Sequence, residues 1–226
     1  MESNRDGMVS VLLTKIKIKI KKMKKLLNLL LLFVLISCTA EAQEVHGIPD
    51  NLREEVIIEG DIFKIWYSEV KEQPTKVTYT VLCPLPGVSR DGLDFYEESE
   101  YHTSDDDDYY RNEWDKGHMA PAAAFNCTRE MLKKTFTYLN SALQHESLNR
   151  GVWNKLEEFE RNLANFYEVR VEIQVNFVEN PPKVPGGASI PESFLKIIRW
   201  EGKEVRFLFP NQNTSGTDWT DYIQAQ

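Results

Sequence analysis

His118 lies within Trp114-Asp115-Lys116-Gly117-His118-Met119-Ala120-Pro121, beside a carboxylate, an ammonium, a glycine and a proline. It is one of four histidines, and it sits where polar sequence turns abruptly apolar. An imidazole changes charge near neutral pH, so His118 is the first candidate for acid-base chemistry. Further along, Trp153, Leu156, Phe159 or Glu160, Leu163 and Phe166 recur at three- and four-residue steps, the pattern of an amphipathic helix beginning near Asn149. Glu157 and Arg161 are four apart and share a face of that helix, where they could pair with each other or serve a site. Asn149, one turn before Trp153, is of a type that caps helices. Its amide oxygen could instead hold a cation, and one oxygen cannot serve both roles without compromise.

These groups need a scaffold. Residues 56–58, 63–67 and 76–82 are rich in β-branched and aromatic types, and the last alternates with period two, predicting strands. Gly60-Asp61 and Gln73-Pro74 supply turn signals between them, consistent with an antiparallel meander. Arg90 opens a less regular stretch. Asp105 to Asp108 reads as a solvated acidic loop, without the glycine and terminal glutamate spacing of an EF-hand. A helical turn is expected over 130–139, leading into Tyr138 to Gln144, so that the segment from Asn140 to Arg161 reads as polar and helical. Alternation over 168–178 predicts a strand. Residues 194–200 and 204–209 read as two strands about a Glu201-Gly202 turn, or as a strand after a short helix.

The 226 residues suit one globular domain with a leader. Lys15 to Lys25 forms a basic run ahead of the apolar stretch 26–36, the order of a secretory signal, which predicts a targeting segment over 1–42 and an exported bacterial protein. Two processing points stand open: a lipobox ending at Cys38, which would anchor the protein in a membrane by lipid, and Ala40-Glu41-Ala42, which would release it. Met23 is itself able to begin such a leader. Residues 1–37 hold Arg5 and seven lysines against Glu2 and Asp6; without them the formal charge moves from -8 to about -14. Such a surface repels nucleic acid at long range, so any phosphate contact needs a local basic cluster or a bound cation. Cys83 and Cys127 remain as an even pair, able to bridge or to lie buried as thiols. No CxxC or HExxH motif is present to suggest zinc.

Asp115-Lys116-Gly117-His118, a short gap and Pro121, followed in register by Asn140, Gln144, Asn149, Gly151, Trp153, Glu157 and Arg161, resemble the DNA/RNA non-specific endonuclease family. Weaker matches at Asp108-Tyr109, Pro191, Phe194, Lys196 and Pro210-Asn211 extend the resemblance over about 57–211. It implies an α+β, ββα-metal fold with a central antiparallel sheet flanked by helices. The organisation expected is a leader over 1–42, a lead-in over 43–55, the nuclease domain over 56–211 and a polar tail over 212–226. The implied activity is hydrolysis of DNA and RNA phosphodiesters to 5'-phosphate ends without sequence preference. In that reading His118 is the general base, and Asn149 is the direct protein ligand of a Mg2+ ion, for which Mn2+ could substitute. Glu157 binds the ion's waters, Arg161 pairs with Glu157 or approaches the phosphate, and Asn140 supports the site near the histidine. Arg90 corresponds to an arginine that stabilises transition-state charge, at a shorter spacing than the family pattern. Lys116 and Asp115 are candidates for substrate contact. Lys116 stands where the signature has arginine, keeping charge but losing the planar fork; Ala124 and Asn176-Phe177 also depart from the pattern. Two further readings stay open: a surface lipoprotein of the same fold that binds nucleic acid with little or no catalysis, and a phosphodiesterase of small substrates.

Overall fold

The computed structural model describes residues 52–225, so the leader and Cys38 lie outside the described residues. Residues 52–224 form one compact unit built on a six-stranded antiparallel sheet of order β1-β2-β3-β6-β7-β8. Its strands are β1 (Val56–Glu59), β2 (Phe63–Ser68), β3 (Gln73–Thr80), β6 (Arg170–Asn176), β7 (Ser193–Trp200) and β8 (Lys203–Pro210). Alternation places Val77 and Tyr79 of β3, Val171 and Ile173 of β6, Phe194 and Ile198 of β7, and Phe207 and Phe209 of β8 in the core. The Glu201-Gly202 turn has both residues at positive φ, 44° and 69°, the two-residue hairpin geometry that matches strand twist. The helical alternative at 194–200 is therefore not taken.

Two expectations are corrected. Gln73-Pro74 is not a turn but the start of β3, where Pro74 faces Tyr67 beside a bulge between Trp66 and Tyr67. A strand's first residues and its bulges are where proline's missing N–H is tolerated. The chain reverses just before, with Glu72 at φ 54°. Residues Ser141–His145 are not helical but form β5, antiparallel to β4 (Trp114–His118). All five residues of β5 are buried, and a short run buried on every side carries no period by which to tell strand from helix. The acidic run is also more than a loop: Asp106–Tyr109 makes a tight turn capped by Asp105, and the buried Asp108 carboxylate accepts hydrogen bonds from the amides of Asp105 and Ala188.

Three helices complete the unit: α1 (Arg129–Lys134), the short α2 (Glu146–Leu148) and α3 (Asn154–Ala164), the last two joined by a π turn over Asn149–Trp153. Leu156 and Leu163 of α3 and Trp153 are buried, and the Trp153 ring meets Phe194 and Phe209 edge-on at 5.6 and 5.5 Å. Between helix and sheet Lys196 Nζ lies 2.7 Å from Glu160 Oε1, both side chains being almost wholly buried, and the Tyr79 hydroxyl donates to Glu160 at 2.8 Å. Glu160 therefore takes the inward position that the helical pattern left open against Phe159. Phe159 instead stacks on Trp219 at 5.2 Å, and Tyr222 packs on Phe209 at 4.6 Å, so the segment after 212 lies against the domain.

Cys83 and Cys127 form a disulfide spanning 44 residues. A crosslink of that length restrains the unfolded chain, so the double Cys83→Ser, Cys127→Ser variant should lose about 2–4 kcal/mol in urea unfolding. An unchanged midpoint and slope would show that the bridge contributes nothing to stability.

Candidate active site

The β4–β5 ribbon sets the first wall. Lys116 and His118 are two apart on β4 and share a face. Gly117 is needed because a Cβ there would lie 2.4 Å from Gln144 Oε1 and 2.6 Å from its Cβ, so any larger residue would displace the buried Gln144. Directly after His118, the buried Asn140 grips the backbone at Ala120. Its Oδ1 accepts from the Ala120 amide at 2.8 Å, and its Nδ2 donates to the carbonyls of Ala120 and Thr135 at 2.9 Å. Asn140 thus fixes where the strand carrying His118 ends, without itself lining the pocket described below.

The second wall is the helical side. α2 is capped at its N-terminus by His145, whose Nδ1 accepts from the Ser147 amide at 3.1 Å, while Asn149 ends that helix and is not its N-cap. Asn149 instead donates Nδ2 to Asp115 Oδ2 at 2.9 Å. An ionised carboxylate only accepts hydrogen bonds, so the amide's NH2 must be the end facing Asp115 and its oxygen must face away. The asparagine oxygen is thus not used as an N-terminal cap. Arg150 forks onto the same carboxylate, with Nε to Oδ2 at 2.9 Å and Nη2 to Oδ1 at 2.6 Å. Asp115, expected at the substrate, is occupied in holding the start of the helix. Gly151, at φ -102° and ψ -111°, breaks the regular helix so that Asn149 and α3 can point at one space.

That space is a pocket of 380 Å³ lined by Arg90, Lys116, His118, Asn149, Glu157 and Arg161, together with Pro121 to Ala123, Arg150 and Asn154. Six of the eight residues singled out from the sequence therefore converge, while Asn140 and Asp115 stand behind them. Four cationic side chains and one carboxylate line it, a local reversal of the protein's acidic balance. Arg150 pairs with Asp115 and Glu146, and Lys116 with Asp106 and Asp94. The Lys116 ammonium also sits over Tyr138, Phe95 and Tyr109 at 5.2, 5.6 and 5.9 Å. Arg90 and Arg161 have no carboxylate within ion-pair distance among the described residues. The simple Glu157–Arg161 surface pair is thus not formed.

Two groups have displaced proton affinities. Burial, and then the charge of Arg90, lower the His118 imidazole to about 3, so it is neutral throughout the physiological range. Its ring packs on Phe95 at 4.7 Å and on the edge of Phe136 at 4.9 Å, with Nε2 enclosed. Burial, reinforced by Glu160, raises Glu157 to about 7, opposed by the charges of Lys196 and Arg161. The Glu157 carboxyl, once ionised, and the Asn149 amide, whose NH2 end is taken by Asp115, line the same pocket and form a donor set that could serve a hard divalent ion. Among the described residues no cluster of three His, Cys, Asp or Glu could hold a metal, so an ion here would keep mostly water around it.

Arg150, Asn154 and the anchoring role of Asp115 were not read from the sequence. The i to i+4 spacing of Glu146 and Arg150 was visible, but the cross-link from Arg150 to Asp115 depends on β4 lying against the helix start.

A model of the DNA/RNA non-specific endonuclease family matches residues 54–225. The chain is 34% identical over 83 residues to mitochondrial endonuclease G of Bos taurus, covering 35% of this chain and 28% of that protein. It is 30% identical over 145 residues to the mitochondrial nuclease of Saccharomyces cerevisiae, covering 51% of this chain and 43% of that one. The chain thus spans less than half the length of either relative. A solved structure, described as the EndoG/EndoGI complex and a mechanism of EndoG inhibition, superposes with a TM-score of 0.67 at 22% identity over 75% of this chain and 80% of its own, a likeness of fold. Both relatives are mitochondrial proteins of eukaryotes, which overturns the expectation of an exported bacterial envelope protein.

Glu157 yields a pH-dependent stability. A carboxyl raised from 4.5 to about 7 on folding favours the folded state at low pH and loses that contribution as pH rises through about 7. Without divalent ions, Glu157→Gln should therefore be more stable than wild type at pH 8 by about 3 kcal/mol and equal to it at pH 4, measured by urea unfolding. A difference independent of pH would contradict the neutral carboxyl.

Proposed function

Because the chain belongs to the DNA/RNA non-specific endonuclease family, we propose that it hydrolyses phosphodiester bonds of DNA and RNA with little sequence preference, leaving 5'-phosphate ends. The observation that carries this reading is the meeting of His118, Asn149 and Glu157 in one cationic pocket.

His118 takes a proton from the attacking water through Nδ1, since Nε2 is buried without a partner. The water oxygen forms its bond to phosphorus as the bond from phosphorus to the 3' oxygen breaks, and that oxygen leaves to be protonated from solvent. Arg90 and Arg161, without carboxylate partners among the described residues, bind the phosphate oxygens and offset the charge that accumulates there. Asn149 and Glu157 would hold a divalent ion, Mg2+ or Mn2+, Asn149 as the direct ligand and Glu157 through the ion's waters. When bound, such an ion neutralises phosphate charge and assists departure of the 3' oxygen. Asp115 and Arg150 keep Asn149 in orientation, and Asn140 keeps His118 in place. Lys116 contacts phosphate only when Asp106 releases it, and this favours a second reading in which the same fold binds nucleic acid and cuts it slowly.

Plasmid and RNA digestion in Mg2+ separates the two readings. Clean wild type should degrade both, EDTA should stop it, and His118→Ala or Asn149→Ala should each lower the rate by about a hundredfold or more. Undiminished cutting by His118→Ala would sink the mechanism, and inert wild type across a series of divalent ions would favour the binding protein.

A further inference from the structure

Arg90 reaches the pocket from the irregular stretch after β3, yet it is exposed and no regular element carries it. Its guanidinium lies 5.5 Å from the Phe136 ring centre, and Phe136 in turn packs edge-on against His118. Something must hold its backbone, since a residue on a loose loop would visit the pocket only part of the time. The stretch lies along the segment that leads into α1. The disulfide joins Cys83 to Cys127. A Cβ on Gly87 would come within 2.0 Å of the Asn126 carbonyl oxygen, so only glycine allows this approach, and the Val88 amide donates to that oxygen at 2.8 Å. Beyond Val88 the contact passes to one side chain. Arg129, the first residue of α1, donates Nη1 to the Ser89 carbonyl at 2.6 Å and Nη2 to the Asp91 carbonyl at 2.8 Å. Its two donors bracket Arg90, taking the carbonyl on either side, while the Arg90 carbonyl accepts from the Leu93 amide at 3.0 Å.

We infer that Arg129 is a positioning residue whose guanidinium fork clamps the peptides flanking Arg90 and so holds the Arg90 side chain at the pocket. This rests on the proposed role of Arg90 at the phosphate. The planar fork is the essential feature, because a lysine supplies one charge centre and cannot span two carbonyls with parallel donors. Arg129 touches no reacting atom and acts only through Arg90.

A double-mutant cycle on the full chain, cleaving a fluorophore-labelled oligodeoxynucleotide in Mg2+, reads the clamp. Arg129→Ala and Arg129→Lys should each lower kcat/KM by about tenfold in the wild-type background. In the Arg90→Ala background neither should change it more than about twofold, because the group being positioned is gone. Hydrogen exchange is a second readout that needs no activity: both variants should speed exchange of the amides over 88–93 and leave β3, β6 and β7 as protected as in wild type. Equal losses in the two backgrounds, full activity of Arg129→Lys, or unchanged exchange over 88–93 would each overturn the clamp. Inert wild type would remove the proposed function, and the exchange arm would still decide whether Arg129 holds the stretch.

Discussion

The Asp115 carboxylate is the joint on which the site depends. It stands on β4, three residues before His118, and it accepts from both Asn149 and Arg150 at the start of the helical arm. One oxygen takes Asn149 Nδ2, which turns the amide oxygen away from Asp115. The arginine fork spans both oxygens, its Nε sharing Oδ2 with the asparagine and its Nη2 taking Oδ1. The two halves of the proposed chemistry, a base on a strand and an ion-holding amide on a helix, are thereby held in a fixed relation. The acid at that position is needed because only an acceptor without hydrogens imposes this orientation on an asparagine.

Behind this joint the helix is fixed to the sheet by another charge pair. Glu160 and Lys196 meet in the core with the Tyr79 hydroxyl on the carboxylate and the Lys196 ammonium 4.2 Å from the Trp153 ring centre. Removing either partner would strand a buried charge, which is far costlier than the pair is stabilising. The same lysine opposes the rise in proton affinity of Glu157, one turn away on the pocket side. Packing and electrostatics are therefore coupled here: the residues that dock α3 also set the charge available to the site. This also explains how a protein of net charge -8 can offer phosphate a cationic pocket, since the basic groups are gathered locally by the fold.

Much of this was legible in the sequence, for identifiable reasons. Strands exposed on one face leave period-two alternation, as over 168–178 for β6, while the ranges expected for β2 and β8 also fall close to their observed ends. The α3 face left its three- and four-residue spacing. His118, Asn149, Glu157 and Arg161 could be placed because motif order carries register. What failed was where burial erases pattern or where partners are distant. β5 is buried throughout and read as helix. Gln73-Pro74 read as a turn because the bulge that admits the proline belongs to the neighbouring strand. Asp115 read as a substrate contact because its partners lie 34 and 35 positions away. Arg129 gave no signal, since its function is defined by two backbone carbonyls in another segment.

The most direct test of the account is Mn2+ binding followed by electron paramagnetic resonance in the absence of substrate, comparing wild type with Asp115→Ala, Asn149→Ala and His118→Ala. If Asp115 orients the Asn149 oxygen toward the ion, Asp115→Ala should weaken Mn2+ affinity by about ten- to a hundredfold, Asn149→Ala by at least as much, and His118→Ala hardly at all. Wild-type affinity in Asp115→Ala, with Asn149→Ala impaired, would show that the amide needs no such anchor and would contradict the central claim.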